Sequence, residues 1–299
     1  MKKKFTRYIA FIFAFIILFS FLSFFSFADT GPKPSVNIDF KNTGNKSFYV
    51  TLLSKTSPGG PWSYSENTDL PTDYGIESDI WKAFRSYEDG DGFYLLPYIK
   101  KCSDSFRWGY YPPKTFKVLI YFPTENLFAV SKIYERYAFD SYYEIDLKSI
   151  STPIESSGTL ICKLDCNEIK SYDYKGEFLG LIARIAVTLS VELGVAYLFG
   201  YRGKKTFLTL LLVNLATQLL LNTALNVEAY RYGTGYNYYE LYIKLEALIF
   251  AIEGLVYFFT LHKFRKEPDR WVSILYALLA NLSSLAFGYK LSSFLPLVF

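Results

Sequence analysis

Glu192 and Glu253 are the residues whose placement most suggests chemistry, because each lies inside an apolar stretch of membrane-spanning length. A charge at the centre of a bilayer costs roughly 2.5–3.5 kcal/mol on insertion scales. Counted along helices at about 1.5 Å per residue, the two carboxylates reach nearly the same depth, slightly to the cytoplasmic side of centre. Asn214 and Asn281, from two further stretches, reach that level too. Two carboxylates close together in lipid do not both stay ionised; one takes up a proton. A shared proton is what an ion-coupled carrier uses, and Asn214 and Asn281 would complete an oxygen-rich site for a proton or small cation. Polar side chains also glue membrane helices together, at roughly 0.6 kcal/mol per interaction. The set therefore has two readings: glue, or a seam that docks another membrane subunit; and a site for a transported ion or substrate.

Each stretch carries a polar seam at helical spacing. Arg184, Thr188 and Glu192 recur every four residues, as do Asn214, Gln218 and Asn222. Glu246 and Glu253 share a face, and so do Asn281 and Ser284. The economical packing turns all four seams inward. Arg184 and Glu246 enter from the outer side to a similar depth, which predicts an ion pair between them. Beside the first seam, Ala186, Ser190 and Gly194 form a small-residue stripe that permits close helix approach. The single histidine, His262, lies among charges in HKFRKEPDR, which argues against histidine metal sites and Ser–His or Cys–His catalysis. With no aspartate pair in the spans either, no enzyme and no cofactor is expected.

The elements that must position these residues are stretches at 178–199, 206–226, 240–261 and 271–296. Each is long enough to cross the hydrocarbon core as a helix. Arg202, Lys204 and Lys205 follow the first, and Lys263, Arg265, Lys266 and Arg270 follow the third. The positive-inside rule puts these loops, 200–205 and 262–270, in the cytoplasm. Between the second and third stretches, Tyr230, Tyr232, Tyr236, Tyr238, Tyr239 and Tyr242 suit the outer interface. The start of the chain agrees: MKKKFTR, an apolar run, then small residues at Ser26 and Ala28 read as a secretory signal. The expected organisation is a signal at 1–28, an extracytoplasmic domain at 29–150, a stalk at 151–175 and a transmembrane domain at 176–299.

The outward segment reads as strands. Val36, Ile38 and Phe40 alternate on one face, as do Phe48, Val50 and Leu52, with NTGN as a turn between. TFKVLIYF, NLFAVSKIY and YYEIDL continue the pattern. One helix is predicted over 79–88, with Asp79 as N-cap and Ile80, Trp81, Phe84 and Tyr87 on one face. The fold class expected is an α+β membrane protein. It has an antiparallel β-sandwich, Ig-like or prealbumin-like, with one inserted helix, followed by a four-helix transmembrane bundle. Trp62, Trp108, Tyr110 and Tyr111, if exposed, form an aromatic surface on which cell-wall glycan stacks; otherwise they are core and turn residues. The DGDG run at 89–92 is too short a match to an EF-hand loop for calcium.

The three cysteines, Cys102, Cys162 and Cys166, allow one disulfide and one free thiol, by a Cys162–Cys166 bridge or by Cys102 to either. A net charge of +4 without a long basic run gives no nucleic-acid footprint. The segments DTGPKPSV, FYVTLLSK with GPW after it, WGYYPP, IYERYAFDSYYEIDL, VELGVAYLFGYR and LLVNLATQLLLN resemble a family of Gram-positive bacterial membrane proteins. The resemblance covers nearly the whole chain after the signal. It implies the architecture and an envelope location, and it carries no catalytic residue. The expected function is a non-enzymatic envelope protein for interaction, sensing or assembly, partnered by a membrane protein or a second copy. The alternative is a small ion-coupled transporter component using the Glu192–Glu253 pair.

Overall fold

The computed structural model describes residues 32–59, 76–149, 154–156, 159–164, 169–264 and 270–292. The signal at 1–28, Trp62 and Cys166 lie outside the described residues. The chain divides into a β-rich unit, residues 33–172 with 230–233, and a helical unit that includes 173–229 and 234–299.

The β-rich unit holds two sheets. In the smaller, β12 (Ile169–Lys170), β9 (Asp140–Asp146), β1 (Ser35–Lys41) and β5 (Ser105–Trp108) lie in that order. The larger runs β10 (Ile154–Ser156), β11 (Thr159–Lys163), β7 (Leu127–Val130), β6 (Thr115–Phe122), β2 (Phe48–Ser54), β3 (Tyr94–Leu95). Beside that path, β4 (Lys100–Cys102) pairs with β2 and β8 (Tyr134–Glu135) with β6. The predicted alternation holds: Val36, Ile38 and Phe40 pack with Phe48, Val50 and Leu52 in one core, joined by Phe106, Trp108, Tyr143 and Ile145. The other face of the larger sheet, with Tyr49, Leu53, Leu119, Tyr121 and Phe128, is covered by Ile80, Trp81 and Phe84 of helix α1 (Ser78–Ser86). Small sheet, large sheet and helix thus form three layers. Two-sided burial explains why β2 and β6 read as nearly continuous apolar runs.

Three expectations change here. The sheets are not purely antiparallel, because β1 pairs parallel with β9 and β11 parallel with β7. Asp79 lies in the first turn of α1, whose N-cap position is Glu77. The expected stalk contributes β10, β11 and β12 to the sheets, and the β-rich unit runs on to Tyr172. Its physical reason is apolar: Cys162 and Leu164 are buried against the sheet they extend.

The DGDG loop is closed by an internal cation. Lys117, on β6, reaches Asp89 Oδ1 at 2.8 Å and Asp91 Oδ2 at 2.5 Å, and its ammonium lies 5.0 Å from the Phe93 ring centroid. Asp89 Oδ2 also accepts the backbone N–H groups of Asp91 and Phe93. The hydrogen bond and charge of Lys117 hold the Asp91 carboxyl below its ordinary 3.8. A carboxyl depressed on folding stabilises above its unfolded pKa, and that contribution fades as pH falls through the folded value.

Burial raises both described thiols, Cys102 to about 11 and Cys162 less far. Both are free and buried, so they are not joined to each other. A core cysteine held as a thiol is unreactive.

The helical unit contains α2 (Tyr174–Leu198), α3 (Lys204–Tyr232), α4 (Tyr236–Thr260) and α5 (Arg270–Ser292). Asp173 caps α2 by accepting from Gly176 N–H at 2.9 Å. Gly200, at φ +82°, ends it: Tyr201 N–H bonds Ala196 O and Gly200 N–H bonds Tyr197 O, both at 3.0 Å. Three of these helices, α2, α3 and α5, are long and apolar enough to cross a membrane. The remaining one, α4, carries Glu240, Lys244, Glu246 and Glu253.

Two outcomes follow for the β-rich unit. Lys117→Met leaves Asp89 buried without its cation and lowers stability by about 3–5 kcal/mol, measured by chemical unfolding of the full chain. In a Cys166→Ser background, a thiol reagent labels Cys102 and Cys162 only after denaturant is added; rapid labelling of the folded protein contradicts their burial.

Candidate functional site

The helical unit gathers its buried polar residues into an inner seam and leaves many large apolar side chains on its outside. Phe178, Leu179, Leu208, Leu212, Leu220, Leu255 and Phe259 are exposed. Glu192, Asn214, Thr217, Gln218, Asn222, Glu253, Asn281 and Ser284 are buried. Spacing of three or four residues along each helix produces this division, since it collects side chains on one stripe.

At the centre, Glu253 of α4 is held from two other helices. Its Oε1 accepts from Thr217 Oγ1 of α3 at 2.6 Å, and its Oε2 accepts from Asn281 Nδ2 of α5 at 2.7 Å. Asn281 Nδ2 also donates to Ala277 O at 3.0 Å, which fixes the amide's orientation. Glu192 of α2 is less well provided for. Its Oε1 lies 3.2 Å from Ser284 Oγ, and its Oε2 has no partner. Ser284 Oγ also lies 3.0 Å from Asn281 O. A hydroxyl has one hydrogen, so Ser284 cannot donate to both. Asn281 and Ser284 are neighbours on one face of α5, and each meets one of the two carboxylates. Both glutamates are 0% exposed.

The rest of the seam extends from this centre in both directions. Toward the start of α2, Arg184 donates through Nε to Asn222 Oδ1 at 3.0 Å and through Nη2 to Asn226 Oδ1 at 3.1 Å. Asn222 in turn donates to Gln218 O at 2.9 Å. Glu246, the partner expected for Arg184, receives the Tyr242 hydroxyl of its own helix. Toward the end of α2, Tyr257 donates to Asn214 Oδ1, and Tyr276 to the Glu192 backbone carbonyl at 3.3 Å. Beyond them, the hydroxyls of Tyr201 and Ser273 are 3.1 Å apart. Asn214 therefore turns its oxygen to Tyr257, and its Nδ2 has no partner.

No protein-family model, no curated protein and no solved structure matches the chain. The arrangement must speak through its own chemistry.

Two expected positions change. Trp108 is 0% exposed and its indole N–H donates to Tyr110 O at 3.0 Å. It is a core residue because β5 turns it between the sheets, so it offers no face to a sugar. Of that set, Tyr110 and Tyr111 are exposed, their ring centroids 5.0 Å apart. The stripe of Ala186, Ser190 and Gly194 faces outward, and Ser190 Oγ donates back to Ala186 O at 2.7 Å. The residues that sequence reasoning missed are Thr217, Tyr257, Tyr276, Tyr201 and Ser273. Tyr257 had a signal, standing one helical turn beyond Glu253 on the same stripe. Thr217 and Ser273 had none.

The two carboxylates should respond differently to an apolar substitution. Glu253→Leu removes an acceptor from both Asn281 Nδ2 and Thr217 Oγ1 and costs about 1–3 kcal/mol. Glu192→Leu removes one from Ser284 alone, which keeps Asn281 O, and costs less. Thermal unfolding of both variants in detergent micelles measures the difference; equal losses contradict the assigned hydrogen bonds.

Proposed function

We propose that this chain is a non-enzymatic integral membrane protein of the cell envelope. Its β-rich unit is extracytoplasmic and serves interaction, sensing or assembly, and its four helices form a transmembrane bundle. The observation that carries this reading is the inverted helical unit, with carboxylates and amides inside and leucine and phenylalanine outside. In water such a surface would be a large apolar patch, whereas in lipid it is the expected exterior. With Glu253 held by Thr217 and Asn281 inside the unit, α4 joins the three other helices as a fourth span. The basic residues Arg202, Lys204, Lys205 and Lys263 then mark the cytoplasmic side. His262 supports a structural rather than catalytic role, since its Nδ1 lies 3.1 Å from Phe258 O at the end of α4.

The partner we propose is a membrane helix, from a second copy or another protein. The outward stripe of Ala186, Ser190 and Gly194 supports this, because small residues let a second helix approach closely. Of the aromatic residues expected to meet cell-wall glycan, Tyr110 and Tyr111 are exposed.

Topology is checked by labelling intact cells with a membrane-impermeant maleimide, in the Cys166→Ser background. Ser103→Cys is labelled from outside, and Lys204→Cys and Lys263→Cys only after permeabilisation. The reverse pattern contradicts the proposed orientation. For the partner, Gly194→Ile reduces cross-linked assemblies in native membranes at unchanged expression; undiminished cross-linking removes the stripe as a contact.

A further inference from the structure

We propose that the Glu192–Glu253 centre binds one small monovalent metal cation, with Glu192 Oε2, Asn281 Oδ1 and Ser284 Oγ as its protein ligands. The inference goes beyond the anchoring role and is independent of it.

It begins with charge. The polar contacts of both carboxylates are with hydroxyls and amides. Among the described residues, no Lys or Arg pairs with either of them. The groups that act on Glu192 electrostatically include Glu253 and Glu246 of α4, both carboxyls. Tyr257 of α4 and Tyr276 of α5 also face the pair, and α3 contributes the uncharged Asn214 and Thr217. Glu253 is engaged on both oxygens, by Thr217 Oγ1 and Asn281 Nδ2, which leaves Glu192 with the open oxygen. A buried anion needs a cation, and the helices supply none there.

Lone pairs give the second argument. Glu192 Oε2 and Asn281 Oδ1 are both buried and without partners. Buried polar atoms in folded proteins nearly always have a partner. Ser284 brings the two residues together, touching Glu192 through its side chain and Asn281 through the backbone. When its hydrogen goes to the Asn281 carbonyl, its own lone pairs are left facing Glu192.

A proton on Oε2, donated to Asn281 Oδ1, is the competing state, and the sodium response below separates the two. A proton on Oε1 would leave Oε2 and Asn281 Oδ1 as they are. A metal cation satisfies both oxygens at once. The oxygen-only set suits a hard ion, and the charge available sets its valence. Because both oxygens of Glu253 are engaged by donors, only the Glu192 carboxylate is left to ligate, too little for a divalent ion wanting six or more oxygens and several carboxylates. The third atom without a partner, Asn214 Nδ2, is a donor and stands outside the shell.

The test is thermal unfolding of the full chain in detergent micelles, with sodium chloride exchanged for choline chloride at constant ionic strength. Sodium raises the midpoint saturably by about 5 °C, and Glu192→Gln abolishes that rise. As a measurement free of any variant, the parent protein broadens the sodium NMR line and lithium reverses it. Equal midpoints in sodium and choline together with an unbroadened line overturn the proposal and leave Glu192 as a protonated acid. A Glu192→Gln variant that keeps the sodium response also overturns it. Neither outcome touches the maleimide topology, so the cation site and the anchoring role fail separately.

Discussion

Satisfying Glu253 inside an apolar bundle is the requirement around which the helical unit is arranged. A carboxylate there is tolerable only when both oxygens find donors, and no single helix can offer two at the right angles. Thr217 and Asn281 supply them from α3 and α5. That pair of bonds fixes the rotation of three helices about their axes. The other buried polar groups follow the same inward line: Asn214 meets Tyr257, Asn222 meets Arg184, and Ser284 meets Glu192. Many large apolar side chains face outward, while Leu210, Leu221, Ile249 and Leu261 pack inside. The helix with the most charge along its apolar run is thereby tied to two of its neighbours through Glu253.

The β-rich unit meets a similar problem with a different solution. Asp89 buries its side chain nearly as fully as Glu192 and Glu253 do, yet it has a full cation beside it in Lys117. This lysine converts the DGDG turn into a fixed joint between the larger sheet and the segment after α1. In the helical unit the hydroxyls and amides supply hydrogen bonds without charge. The contrast between a neutralised cluster and an uncompensated one is what makes the Glu192 side of the bundle chemically open.

Much of this was legible in the residues, and the failures have physical causes. Strong period-two alternation in β1 and β2 announced the inter-sheet core, and period-four polar spacing announced the inward seam. Helix ends came within a few residues because Asp173 and Gly200 punctuate α2. Parallel pairing of β1 with β9 was not readable, since alternation is identical in parallel and antiparallel ladders and register depends on distant partners. The segment at 151–175 looked like a stalk because its strands are two to five residues long, too short for periodicity to show. Trp108 looked exposed because GYYPP beside it is turn-like, although the alternation of Phe106 and Trp108 already placed both rings on one face. At the site, depth could be counted along the helices, but which amide oxygen is free depends on neighbours that no single helix reveals.

A double-mutant cycle across α4 and α5 probes the central bond most directly. Glu253→Leu, Asn281→Leu and the double variant are compared with the parent by unfolding in bilayer-like micelles. The account predicts a coupling of about 0.6–1.7 kcal/mol, the double variant losing less than the sum of the two singles because each single strands a buried polar partner. Additive losses would contradict it.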